Sequence, residues 1–191
     1  WLVDPIDGTA NWLAGMPYFA TSVGLWAERG FATGAVSVPA HKELFFTYGD
    51  RGAYLNGKAI RAADAALGSS LVAVGCSGAA GAPSVRRLEY ELFGEINDSS
   101  RGCLRLGSAA TNLCYVAAGR LQACYGFGNR VWDVAGGAAV ARQAGCAVLL
   151  ARAEDPTRVN YVVGGPTVVG QLGELFERRG LMRFDEGGMP G

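Results

Sequence analysis

The sequence predicts a layered α/β fold, with a strand-rich first half leading into a second half where strands and helices alternate. Two observations carry this. Up to about residue 57 the apolar runs are short, contain β-branched residues and are broken by turn signals. From Ser70 onward, short apolar runs alternate with segments of helical length and character. The 191 residues are half hydrophobic, enough for a real core, and the 29 glycines follow no period that would indicate a repeat. One domain over residues 1–191 is therefore expected, without an internal linker.

The elements follow in order. Trp1–Asp4 reads as an apolar strand stopped by Pro5, which lacks a backbone donor. Tyr18–Glu28, Phe31–Val38 and Glu43–Tyr48 read as an antiparallel meander, turning at Arg29-Gly30 and Pro39-Ala40-His41. Gly52–Leu55 runs into Asn56-Gly57, a strong hairpin signal because both residues tolerate positive φ. Strands are expected at Ser70–Gly75, Cys103–Leu106, Leu121–Tyr125, Ala147–Leu150 and Val159–Val163. Helices are expected at Pro83–Gly94, Ser108–Ala118, Trp132–Ala144 and Pro166–Arg178, two of them opening on a proline suited to a first turn. The Gly/Pro-rich stretch 185–191 reads as a frayed tail.

Composition narrows the function. Lys plus Arg equals Asp plus Glu at 17 each, so no basic excess points to nucleic acid. No apolar run reaches the ~18 residues that span a bilayer. The five cysteines include no C-x-x-C pair and there is a single histidine, which argues against structural zinc; an odd count argues against a disulfide framework. Reduced, buried thiols in a cytoplasmic protein are the expectation. The chain opens at Trp1, not at methionine, and an upstream portion is expected to be missing.

The most informative segment is Asp4-Pro5-Ile6-Asp7-Gly8-Thr9. Two carboxylates three residues apart at a strand end, with Gly8 permitting a tight turn, suit a hard divalent cation and a phosphate. The side chains of Asp4 and Asp7 and the carbonyl of Ile6 would hold Mg²⁺, while the amides of Gly8 and Thr9 would meet phosphate oxygens. Either dipeptide alone would be an ordinary surface turn. Downstream, after the strand Leu121–Tyr125 and a glycine-rich turn at Gly126-Phe127-Gly128, lies Trp132-Asp133-Val134-Ala135-Gly136-Gly137, with Asp133 at an expected helix start. There it could simply cap the helix.

Together these segments resemble the two signatures of the inositol monophosphatase family, D-P-I-D-G-T and W-D-x-A-(A/G)-G, in the right order and more than 100 residues apart. The similarity extends through Gly107-Ser108-Ala109-Ala110 with Asn112, through Ala118–Ala123, through Gln143-Ala144-Gly145 and through the Asn56-Gly57 hairpin. The resemblance implies the α/β sandwich of inositol monophosphatases and fructose-1,6-bisphosphatases, lacking its N-terminal portion. It also implies a homodimer and hydrolysis of small phosphate monoesters with two or more Mg²⁺ ions, which activate water and clamp the entering and leaving oxygens. Carried over by motif, Asp4 bridges two cations, the Ile6 carbonyl serves one, and Asp7 and Asp133 complete the other. Thr9 would orient the water; Gly8, Ser108 and Ala109 would meet phosphate or substrate.

Two departures from the family pattern matter. A glutamate-bearing upstream segment that supplies further ligands would precede Trp1, so this piece is expected to bind Mg²⁺ weakly and turn over poorly. Seven residues before Asp133, where inositol phosphatases carry a glutamate that accepts a substrate hydroxyl, stands Gly126. Inositol monophosphate is the default substrate, with histidinol phosphate, 3′(2′),5′-bisphosphate nucleotides and fructose 1,6-bisphosphate as alternatives. Arg130 is a candidate for an anionic group on the substrate, or else a salt-bridged surface residue. His41 reads as structural, and Ser22, Ser69 and Ser77 lie in no G-x-S-x-G elbow. A non-catalytic interaction role and an incomplete, inactive piece are the remaining readings.

Overall fold

The computed structural model describes residues 1–27, 30–76, 83–152 and 155–181. The tail expected to fray, 185–191, and Ser77 lie outside these residues. The first sheet is an antiparallel meander of six strands in sequence order: β1 (Leu2–Asp7), β2 (Ala20–Ala27), β3 (Gly30–Val38), β4 (Glu43–Thr47), β5 (Ala53–Leu55) and β6 (Lys58–Ile60). The β5–β6 turn is Asn56-Gly57, both at positive φ, as that dipeptide requires.

The second sheet is mixed, in the order β10 (Ala147–Arg152), β11 (Arg158–Gly164), β9 (Ala123–Arg130), β7 (Leu71–Gly75), β8 (Gly102–Leu104). β7 runs parallel to β8 and β9; β11 is antiparallel to β9 and β10. Helices α3 (Ala109–Ala117) and α4 (Val131–Gln143) fill the space between the sheets, with Val36, Phe45, Leu113, Val134, Val140 and Tyr161 in one core. Helices α2 (Pro83–Ser99) and α5 (Pro166–Arg178) cover the other face of the second sheet, where Val74, Leu92, Ile96, Tyr125, Leu172 and Phe176 form a second core. A short helix α1 (Thr9–Leu13) follows β1.

Several boundaries differ from the sequence expectation. β1 continues through Pro5 to Asp7, with its pairing to β2 irregular between Asp4 and Asp7. It is an edge strand, where a missing donor is tolerated. β9 runs on to Arg130 through Gly126-Phe127-Gly128, a stretch whose glycines read as a turn. Helix α2 extends to Ser99 and α4 begins one residue early.

α4 lies unusually close to the first sheet, and glycine makes this possible. A Cβ at Gly34 would stand 2.4 Å from the Gly136 carbonyl oxygen, and one at Gly24 would stand 2.7 Å from Ala135 and Gly136. The motif Val134-Ala135-Gly136-Gly137 thus serves as a flat contact surface that seats the N-terminal turn of α4 beside β1.

Candidate active site

Asp4 and Asp7 come from the irregular end of β1, and Asp133 from the first turn of α4. The structure brings one carboxylate oxygen of each within 4.8 Å of the others. A hard cation with oxygen contacts of about 2.1–2.5 Å spans opposite ligands about 4–5 Å apart, so this triangle fits a single ion. The three carboxylates form no ion pair with lysine or arginine among the described residues.

Each side chain is held by its own element. Asp4 Oδ1 accepts the Ile6 N–H at 3.0 Å, which folds the strand end back on itself. Asp7 is buried, and its Oδ2 accepts from Ser108 Oγ at 2.5 Å and from the Ala110 N–H at 2.8 Å, in the first turn of α3. Asp133 is the third residue of α4 rather than its cap; its Oδ2 accepts the Arg130 N–H at 3.2 Å, bracing the helix start. The helix-start role and the cluster role are therefore filled together, by one side chain.

The electrostatics follow from this crowding. Burial pushes the Asp7 carboxyl up to about 6, against the opposing effect of the Ser108 and Ala110 hydrogen bonds. Asp133 is pushed up to about 7, first by burial and then by the charges of Asp7 and Asp4. A divalent cation bound between these carboxylates would favour their ionised forms.

Gly8, at φ 85°, carries the turn between β1 and α1, and a Cβ there would meet the Tyr18 and Gly107 carbonyls. Thr9 Oγ1 donates to the Ile6 carbonyl at 2.9 Å, so the two atoms singled out in the sequence engage each other. Asn11 ties the motifs together, donating through Nδ2 to the carbonyls of Tyr18 (2.7 Å) and Leu106 (2.8 Å). Ser108 is the N-cap of α3 as well as a donor to Asp7. Arg130 is drawn away from the carboxylates: it bonds Asp155 at 3.1 Å and Thr157, and lies over the Trp132 ring. His41 pairs with the Tyr115 hydroxyl at 2.7 Å. The described cysteines are free thiols.

A cavity of about 200 Å³ opens beside the carboxylates, lined by Asp7, Asp133, Ser108 and Ala109 and also by Arg105, Cys76, Asn112 and Asn129. The last four were not singled out from the sequence for chemistry at this site. Arg105 and Asn112 flank or belong to the Gly107-Ser108-Ala109-Ala110 stretch, and that proximity was the available signal. Asn129 had only the odd spacing of Gly126 and Gly128 to mark it.

Two sheets enclosing two inner helices, with a triad of carboxylates where the first sheet meets those helices, define a layered α/β architecture. The chain belongs to the inositol monophosphatase family, whose sequence profile matches residues 1–178. It is 37% identical over 149 residues to the inositol-1-monophosphatase of Mesorhizobium japonicum, covering 76% of this chain and 54% of that protein. Mycobacterium tuberculosis SuhB superposes with a TM-score of 0.83 at 33% identity, covering 94% of this chain and 73% of that one. SaIMPase-II, solved with inositol monophosphate bound, superposes with a TM-score of 0.73 at 27% identity, over 94% of this chain and 74% of that one. The chain spans about half the length of the curated relatives it matches. Among the described residues, no helix is long and apolar enough to cross a membrane.

Proposed function

We propose that this protein hydrolyses the phosphate monoester of a small polyol or sugar with the help of Mg²⁺, an inositol monophosphate being the first substrate to test. The observation that carries this reading is the convergence of Asp4, Asp7 and Asp133 within 4.8 Å, beside a cavity that also holds the arginine Arg105. Family membership and the inositol monophosphate bound to SaIMPase-II support the substrate class.

The three carboxylates, with the Ile6 carbonyl, would hold Mg²⁺, which when bound neutralises phosphate charge and makes water a better nucleophile. The chain's own groups do the rest. Ser108 and the Ala110 amide hold one oxygen of Asp7, leaving the other for a ligand. The Gly8 and Thr9 amides would meet phosphate oxygens, while the Ala110 and Thr111 amides of α3 are engaged by Asp7 and Ser108. Thr9, whose hydroxyl donates to the Ile6 carbonyl, would orient the water. Arg105 would attract the phosphate to the open side.

The test is phosphate release from a panel of sugar, polyol, histidinol and nucleotide phosphates, with Mg²⁺ and with EDTA. Mg²⁺-dependent release that Asp133→Asn abolishes is expected. No release from any ester, together with no Mg²⁺-induced rise in melting temperature, would refute the assignment.

A further inference from the structure

β9 contains an irregularity that the catalytic reading leaves unused. Opposite it, Tyr161 pairs with Gly126 and Val159 with Asn129, so three steps on β9 face two on β11. One extra residue is therefore inserted around Phe127-Gly128. Gly128 takes φ 62°, its N–H bonds Asn160 Oδ1 at 2.8 Å, and its carbonyl accepts from Arg158 at 2.6 Å. Residues three apart in a regular strand point to opposite faces; the bulge brings Asn129 round to the face of Gly126. The side chain then lies over the glycine. Asn129 Oδ1 is 2.4 Å from where a Cβ at 126 would be and 3.1 Å from where one at Gly75 would be. Any larger residue at 126 would evict it.

Nothing among the described residues explains why the amide is held there. Asn129 Oδ1 is buried without a hydrogen-bond partner, as is the neighbouring hydroxyl of Tyr161, and the Asn129 side chain forms no hydrogen bond among the described residues. Buried amides are normally paired, and exceptions concentrate where a ligand completes the set. Asn129 also lines the cavity that holds Asp7 and Asp133.

Building on the phosphatase reading above, we propose that Asn129 is a specificity residue: its carboxamide pairs with a hydroxyl of the alcohol half of the substrate, beside the phosphoester. A hydroxyl both donates and accepts, so it can satisfy either end of the amide, which an ammonium or a carboxylate cannot. The favoured substrates are then phosphate esters with a hydroxyl on a carbon adjacent to the ester carbon. Asn129 stands in for the side chain that Gly126 lacks, and supplies a neutral amide.

The test compares glycerol 2-phosphate with isopropyl phosphate, which share a skeleton and differ only in two hydroxyls, on the Mg²⁺-loaded chain. The wild type should favour glycerol 2-phosphate in kcat/KM. Asn129→Ala should lower that ratio by roughly 3- to 10-fold, the worth of one hydrogen bond, while changing isopropyl phosphate hydrolysis by less than about twofold. Asn129→Asp keeps an acceptor and should retain the preference even if its added charge slows both esters. The Mg²⁺-induced melting shift should be unchanged in Asn129→Ala. An unchanged ratio in Asn129→Ala, or an equal loss for both esters, overturns the proposal while leaving the phosphatase reading intact. The phosphatase reading itself is judged by the wider ester panel; if the wild type hydrolyses neither of these two esters, calorimetric titration of both with Ca²⁺ present decides this proposal: equal affinities overturn it, tighter binding of glycerol 2-phosphate that Asn129→Ala removes upholds it.

Discussion

Replacing Asp133 by asparagine should stabilise the metal-free protein at pH 8, although it destroys the site. Asp133 is held near 7 in the folded chain against 3.8 ordinarily. Between those values the folded state keeps a proton that the unfolded state has released, so the unfolded state binds fewer protons and stability falls as pH rises. At about 1.36 kcal/mol per unit, the full shift is worth about 4 kcal/mol. Water entering the open cavity relaxes part of it, leaving about 2 kcal/mol as the expected gain for Asp133→Asn, or roughly 4–8 °C in melting temperature for a chain of this size. At pH 4 the carboxyl is neutral in the fold and mutant and wild type should melt within about 2 °C of each other. Adding Mg²⁺ should reverse the order at pH 8, because only the wild type can bind it. The assay is thermal melting of both proteins at pH 4 and 8, in EDTA and in Mg²⁺. An Asp133→Asn protein no more stable than wild type at pH 8 in EDTA, or equally stabilised by Mg²⁺, refutes the argument that burial, with the charges of Asp7 and Asp4 beside it, makes the ionised Asp133 a burden on the metal-free fold.

Ser108→Ala removes both the α3 cap and a donor to Asp7, and should cost about 2–4 kcal/mol in urea unfolding at pH 8. It should also raise the Asp7 titration seen by carboxyl NMR, since that bond lowers it. Gly34→Ala places a methyl 2.4 Å from the Gly136 carbonyl oxygen. Backing α4 off the sheet should cost about 3 kcal/mol and weaken Mg²⁺ binding measured by calorimetry, although the mutated residue is not a ligand. Ser22→Ala deletes a buried hydroxyl with no partner and should leave stability unchanged or raise it by about 1 kcal/mol in the same unfolding assay.

Much of this was legible in the residues. The meander, the Asn56-Gly57 hairpin and α5 stand where apolar runs and turn signals put them, because those signals are local. The carboxylate triad was legible through motif resemblance; local chemistry alone left Asp133 open between a cap and a ligand. What escaped depends on contacts distant in sequence. Pro5 appeared to end its strand because nothing in Trp1–Thr9 says that β1 lies at a sheet edge. Gly126-Phe127-Gly128 appeared to be a turn because glycine marks turns and bulges alike, and only pairing with β11 separates the two. The hydrogen bond of Ser108 to Asp7 crosses 101 residues, so no local signal announced it. Arg130 took the salt-bridged alternative that the sequence offered, but its partner Asp155, 25 residues on, was not legible.

The glycines of the second motif connect fold to chemistry. Gly136 has no catalytic atom to offer, yet its contacts with Gly24 and Gly34 set how near the α4 helix comes to the sheet, and so how near Asp133 comes to Asp4. Side chains at those three positions would hold the helix away by the width of a methyl group. A carboxylate triangle opened by even 1–2 Å would exceed the span of one hard cation. Packing at these glycines therefore sets the dimension of the cation site. The same close seat buries Asp7 and Asp133, which is the main reason they resist ionisation, and brings the neighbouring carboxylate charges in as a second cause. Cation affinity and the pH-dependent loss of metal-free stability thus both depend on one helix–sheet contact, and any substitution that relaxes it should weaken both together.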